Sequence, residues 1–265
     1  MAEDTQTDAQ NDLKLAGQVP LYKNPEPLSV EKHGGLGIKT TEAPYQFLAG
    51  THFVPIAVTE FGQVAPHYPI IFAGETKTPL AVMGARAGEN IFVTDAGRLE
   101  DDVYVPAFVR RYPFVLANAP GDNRMVVCVD TGADAVSENP QQPFFEDGKP
   151  TKFTNDAMEF LKTFERDRLM TERYVEELKK HDLFEPKDVT INAQTADGQR
   201  TESRKIADYF AVSEKKIAEL GDEPANALRR MGMLGPSYAH LISLFNWSKI
   251  LNRTLRRAQK TPATA

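Results

Sequence analysis

Between His52 and Asp130 the apolar residues come in short bursts. HFVPIAV, YPIIFA, PLAVMGA, NIFVTD, YPFVLA and MVVCVD each have the length of a strand, and clusters such as Ala87-Gly88-Glu89-Asn90 and Asp95-Ala96-Gly97 separate them. This spacing predicts a sheet-dominated half. One segment within it, YVPAFVRRYPF (Tyr104 to Phe114), reads differently: Pro106 suits the first turn of a helix and Pro113 bars Tyr112 from helical geometry, so only a short helical turn fits between them.

After Pro150 the period lengthens to that of a helix. Thr154 or Asn155 is expected to cap one helix carrying Met158, Leu161 and Phe164, and Thr171 a second carrying Tyr174, Val175 and Leu178. Asp197-Gly198 between two extended runs predicts a β-hairpin. Ser213 caps SEKKIAEL, Gly221 stops it, and Asp222 and Pro224 open another helix ending near Gly232. Pro236 opens the last helix, with Leu241, Leu244, Phe245, Leu251 and Leu255 as the expected core stripe. Trp247 and Ile250 fall off that stripe and imply a second contact surface for a partner helix or a second subunit.

The pattern therefore predicts an α+β protein: a mainly antiparallel β-sheet N-terminal half followed by a mostly helical C-terminal half with a β-hairpin. The expected portions are a flexible acidic tail and extended, wrapping segment (1–45, broken by Pro20, Pro25, Pro27, Gly34, Gly35 and Gly37), a β-rich portion (46–150), a helical portion with the hairpin (151–258) and a disordered tail (259–265).

Composition changes this picture in three ways. With 265 residues and 41% apolar content there is ample material for a core. The single cysteine, Cys128, fits a reducing compartment. No apolar run is long enough to span a membrane, and the start, rich in Asp and Glu, lacks the charged and apolar regions of a secretory signal, so a cytoplasmic location is expected.

The net charge of -6 is unevenly placed. From Pro224 onward there is no Asp or Glu, while Arg229, Arg230, Lys249, Arg253, Arg256, Arg257 and Lys260 contribute +7, leaving -13 on the first 223 residues. A basic end on an acidic body can dock on an acidic partner or anionic lipid, or can lie against the protein's own acidic surface. Its Lys/Arg density is too low for a nucleic-acid arm.

Chemistry is sparsely announced. His33, His52, His67, His181 and His240 are scattered, HExxH and CxxC are absent, and so are the loops GxxxxGK[ST], strand-linked GxGxxG and GxSxG. No metal and no cofactor are expected. Arg110, Arg111 and Tyr112 form a candidate binding element. Either the two guanidiniums grip a carboxylate or phosphate, or one ties the turn to the sheet while the other is solvated. Trp247, Arg253 and Arg256 on the last helix are candidates for partner contact, a protein partner and a homodimer being the expected associations.

MVVCVDTGAD resembles the catalytic loop of a retropepsin, in which two strand-end aspartates share a proton and activate a water. The surrounding pattern disagrees: no second Asp-Thr-Gly occurs, the chain continues into helices, and the apolar-Gly strand LAVMGA precedes the loop instead of following it. As an aspartic peptidase the chain would need a homodimer pairing two copies of Asp130. Cys128, inside the apolar strand, reads as a buried inert thiol.

A second resemblance covers far more of the chain. YPIIFAGETKTPLAVMGARAGENIFVTDAGRLEDDVYVPAFVRRYPFVLA, then CVD, PFFEDGKPT, YFAVSEKKIAEL and YAHLISL, is similar to the SapC family of proteobacterial proteins over roughly Ala49 to Arg253, with GENIFV and YVPAFVRRYPF the most specific parts. The family commonly has Trp after the glycine of the Gly97 turn, where this chain has Arg98-Leu99, so no Trp-based site is carried over. The resemblance implies a non-enzymatic accessory or binding protein, linked through the family's name to surface-layer protein export and through its usual gene neighbours to a halogenase-like partner. It supplies no catalytic residue. A sensor domain for a small anionic ligand, with both arginines in a pocket, is the remaining reading.

Overall fold

The hairpin expected in the helical half completes the sheet of the other half. The computed structural model describes residues 21–118, 125–194 and 201–260. Along the chain come β1 (Pro25–Pro27), α1 (Val30–His33), β2 (Gly37–Ile38), β3 (Phe53–Pro55), α2 (Phe61–Val64), β4 (Ile70–Ala73) and β5 (Thr78–Val82). Next are α3 (Ala107–Arg110), β6 (Phe114–Asn118), β7 (Met125–Asp130) and four two-residue strands, β8 (Val136–Ser137), β9 (Gln142–Pro143), β10 (Phe145–Glu146) and β11 (Lys149–Pro150). The chain closes with α4 (Lys152–Lys180), the long strands β12 (Phe184–Gln194) and β13 (Thr201–Val212), α5 (Glu214–Ala218), α6 (Asp222–Arg230), α7 (Leu234–Ser243) and α8 (Trp247–Lys260).

All the paired strands are antiparallel, and the α+β layout is as the pattern predicts. The main sheet has the order β12-β13-β4-β5-β3, so β4 pairs with β5 on one side and with β13 on the other. Every residue of β4 is buried, which its uninterrupted Ile-Ile-Phe-Ala requires. Phe72 at its centre meets the rings of Tyr174 from α4, Phe184 from β12 and His240 from α7. A second sheet, β1-β7-β6, joins the chain start to the MVVCVD strand, and a third, β8-β2-β9, holds Gly37–Ile38 between two later strands. The wrapping segment is thus sewn into place by pairing with residues about a hundred positions downstream. Asp197-Gly198 lies outside the described residues, as do 1–20 and 261–265.

Three local expectations are corrected. NIFVTD is not a strand: it forms turns with a single bridge, Val93 to Leu99, and inserts Ile91, Phe92 and Val93 into the core. The two helices expected around Thr154 and Thr171 are one helix of 29 residues, capped by Thr151, whose hydroxyl accepts from the Thr154 N–H. Thr171 does not interrupt it. Its hydroxyl donates to the Asp167 carbonyl at 2.6 Å and accepts the Val58 N–H at 2.9 Å, supplying a neighbouring single-turn helix (Val58–Glu60) with an acceptor for an otherwise unpaired amide.

The last helix is rotated from the expected stripe. Ser237, His240, Ser243, Trp247, Ile250 and Thr254 are buried, whereas Phe245 and Leu255 are exposed. A single 3-10 turn (Leu244–Asn246) links α7 to α8 without breaking this face. Small hydroxyls and a histidine were invisible as core positions because their burial depends on hydrogen bonds: the Ser243 hydroxyl accepts the Ile70 N–H at 2.8 Å and donates to the His240 carbonyl.

Candidate functional site

The Arg-Arg-Tyr element is held by a buried carboxylate. Pro106 precedes the single turn of α3, so the Ala107 N–H at its start has no intrahelical acceptor. Glu60, almost wholly buried, accepts it at 2.6 Å through Oε1. The same oxygen accepts the Tyr104 hydroxyl at 2.9 Å, and Oε2 accepts the Ala57 N–H at 2.9 Å. Arg110 then donates to the Tyr104 hydroxyl at 3.2 Å and to the Val105 carbonyl at 3.0 Å, with its guanidinium 5.1 Å from the Phe160 ring centre. Burial, and next the Glu60 carboxylate, push the Tyr104 phenol up to about 12, so it remains a donor to Glu60 throughout the physiological range.

Arg111 faces inward. Its guanidinium lies 4.3 Å from the ring of Phe108, 4.6 Å from Phe164 and 5.7 Å from Tyr22, and its Nε is buried with no hydrogen-bond partner. Burial lowers its pKa, and the nearest compensation comes from Tyr22, whose own phenol is pushed up to about 12 chiefly by burial. A half-buried guanidinium clasped by rings, with Glu165 as the acting opposite charge, carries a desolvation cost that π-faces offset only in part. Tyr112 stacks on Phe47 at 4.1 Å and meets Tyr22 edge-on at 5.3 Å. Its hydroxyl is buried near Asp130 but makes no hydrogen bond of acceptable geometry, and burial first, then that carboxylate, raises its pKa.

These three residues line one open groove of about 600 Å³, within the range of small-molecule sites. Phe47 and Tyr45 belong to its lining. Phe153, Ala157 and Phe160 of α4 line it too, at the i, i+4, i+7 spacing that puts them on a single helical face. Lys39 adds a third cation to the lining. The two acidic lining residues are held in exposed ion pairs, Asp134 with Lys23 at 3.0 Å and Asp156 with Lys152 at 2.5 Å. The groove is an aromatic trough with two guanidiniums in its lining.

Asp130 is not poised for catalysis. It is completely buried, and its carboxylate accepts the backbone N–H groups of Lys23 (2.9 Å), Asn24 (2.7 Å) and Gly132 (3.1 Å). Thr131 binds the same incoming segment through Asn24, and a side chain at Gly132 would collide with Lys23. Asp-Thr-Gly is therefore a clasp on the start of β1. The peptidase reading is corrected: Asp130 is fully buried, with no face open to water or to a second copy, and both of its oxygens already accept backbone N–H groups. Cys128 beside it is buried, and burial raises its thiol pKa, away from nucleophilic thiolate.

The last-helix candidates do not join the groove. Trp247, expected at a contact surface, packs in the core against Tyr209. Arg253 is paired with Glu100 and covers the Phe92 ring at 4.8 Å, so it ties α8 to the NIFVTD turns. Arg256 alone of these is exposed. Sequence reasoning missed Glu60, Tyr104, Tyr22 and Phe47. The one legible signal was Phe153, Phe160 and Phe164 on a shared face of α4. Among the described residues no three His, Cys, Asp or Glu side chains are grouped to hold a metal, and no helix is long and apolar enough to cross a membrane.

The chain is thus an α+β protein with an Arg–aromatic groove and an Asp-Thr-Gly turn buried as a clasp. The chain belongs to the SapC family, whose family model matches residues 28–250. Comparison with curated proteins and with solved structures finds no match.

Proposed function

We propose that this SapC-family protein is a non-enzymatic cytoplasmic binding protein whose working site is the groove over Arg110, Arg111 and Tyr112, and that its ligand presents a carboxylate on an apolar body. The observation that carries this reading is the ring-clasped guanidinium of Arg111, desolvated and with its Nε unpartnered at the groove wall. A carboxylate entering the groove supplies the missing anion, and fork-shaped pairing with guanidinium gives it orientation. The facing rings of Phe47, Phe153 and Phe160 cover the apolar part. A free organic acid and the C-terminus of a protein partner share this chemistry. The association with surface-layer export, which the family's name suggests, belongs to the same proposal: the groove would hold the carboxylate of a client or accessory partner.

Calorimetric titration with 4-phenylbutyrate, its neutral amide and a hydrophobic peptide with a free or amidated C-terminus tests the proposal. Binding of either acid, absent for its amide and lost in Arg111→Met, is expected; the preferred acid identifies the source. Equal binding of acid and amide, or unchanged binding by Arg111→Met, defeats the carboxylate reading.

A further inference from the structure

The outer side of the C-terminal helices carries an apolar ridge left uncovered by the described residues. Tyr238, Ile242 and Phe245 follow one another about a turn apart, with Ile242 62% and Phe245 83% exposed. The helix cannot rotate to bury them, because the opposite face seats His240, Ser243, Trp247 and Ile250 in the core. Three turns beyond Phe245 the exposed Arg256 extends the ridge, and exposed Arg229 and Arg230 end the helix just before it.

We infer that this ridge seats on an anionic lipid surface. Its apolar members are two aromatic rings and an isoleucine standing on a convex helical face, as an interfacial helix requires. Its charge is of one sign: from Pro224 to Ala265 there are seven Lys and Arg and no Asp or Glu. An anionic bilayer attracts such a cluster of cations and asks for no matched pattern of opposite charges. Arg253 and Arg257 are turned inward onto Glu100 and onto the carbonyls of Asn90 and Val93, leaving the outward cations at the two ends of the ridge. The -13 on the first 223 residues is repelled by the same surface, so one orientation is favoured, with the helical face toward the lipid. The ridge then enters the headgroup layer while the acidic body stays in water.

Co-sedimentation with vesicles tests this. The full chain is mixed with vesicles of phosphatidylglycerol and phosphatidylcholine in equal parts, and separately with phosphatidylcholine alone. Binding to the mixed vesicles alone, weakening with added salt, is expected. The double variant Ile242→Ser, Phe245→Ser should lower the partition coefficient about tenfold or more at an unchanged Tm, since both residues are solvent-facing. The triple variant Arg229→Gln, Arg230→Gln, Arg256→Gln gives an independent check through a shallower salt dependence. Absence of binding to the mixed vesicles, or undiminished binding by both variants, overturns the inference. So does light scattering that shows a dimer which the double serine variant converts to monomer, because the ridge would then belong to a second copy.

Discussion

His240 accepts the backbone N–H of Val212 through Nε2 at 3.1 Å, reaching from α7 into the seam between two strands of the main sheet. Its Nδ1 lies 2.9 Å from the Ile70 carbonyl, an acceptor, so the proton sits on Nδ1 and the ring is neutral. Phe210 pairs with Phe72, and Val212 and Ile70 lie two positions further along that antiparallel register, where the strands are no longer paired. The imidazole therefore takes the place of the ladder hydrogen bond that the diverging strands no longer make.

Stability should fall in mild acid for this reason. Burial holds the His240 pKa down to about 4 against an ordinary 6.5. Between those values the unfolded chain binds the proton and the folded chain does not, so the contribution is fully present above 6.5 and declines as pH falls toward 4. The full span is worth about 3 kcal/mol. Urea unfolding at pH 7.5 and pH 5 should show the loss. His240→Leu should flatten this part of the profile while costing about 2–4 kcal/mol at neutral pH, from the stranded Val212 N–H and Ile70 carbonyl.

Asp130→Asn should destabilise by about 2 kcal/mol, since an amide has one acceptor oxygen for three backbone donors and turns its NH2 toward one of them. Amide exchange should accelerate first at Lys23 and Asn24. Peptide cleavage at acidic pH should be absent from wild type and variant alike, and pepstatin-sensitive cleavage by the wild type would restore the peptidase.

Arg111→Met should raise the Tm of the ligand-free protein. The replacement keeps contact with Phe108 and Phe164 and removes a desolvated cation, a type of exchange that gains about 1–4 kcal/mol when the buried charge is poorly compensated. The same variant should lose carboxylate binding. A fall in Tm would mean the rings and Tyr22 compensate the guanidinium in full.

Glu60→Gln should loosen the groove from a distance. Glu60 caps α3 and holds the Tyr104 hydroxyl to which Arg110 is tied, so the neutral side chain should cost about 1–3 kcal/mol and lower groove affinity without touching ligand. Glu60→Asp, which keeps the charge but is one methylene short, should recover part of the stability and less of the affinity.

How much of this was legible follows from what each residue does. The pair of prolines around Arg110 and Arg111, Pro106 and Pro113, sets off the short turn because proline chemistry is local. Apolar bursts marked β4, β5, β6 and β7 because burial on a sheet selects apolar side chains. The core face of α7 and α8 was misjudged because Ser237, His240 and Ser243 are buried through hydrogen bonds to distant groups, which spacing does not encode, and Thr254 through one to the Ile250 carbonyl a turn back. NIFVTD had the composition of a strand, and Asn90 folded it into turns: its Oδ1 accepts the Phe92 N–H at 2.9 Å. In the groove, Arg110 to Tyr112 stood out as a dense local signal, whereas Phe47, which lines it, and Glu60 and Tyr22, which support it from behind, are brought there only by the tertiary fold.

The pairing of β4 with β13 also sets an order of events during synthesis. Phe72 and Phe210 are 138 positions apart, and His240 lies a further thirty beyond. While the ribosome makes α4 and the hairpin, the apolar edge of Ile70–Ala73 has no neighbour on that side, the kind of edge that recruits other chains. A nascent chain arrested near residue 150 would carry β3, β4 and β5 and all three backbone donors of the Asp130 clasp, yet lack the strand β13 that covers β4. Aggregation in the cell should therefore be governed by how quickly translation clears the second half.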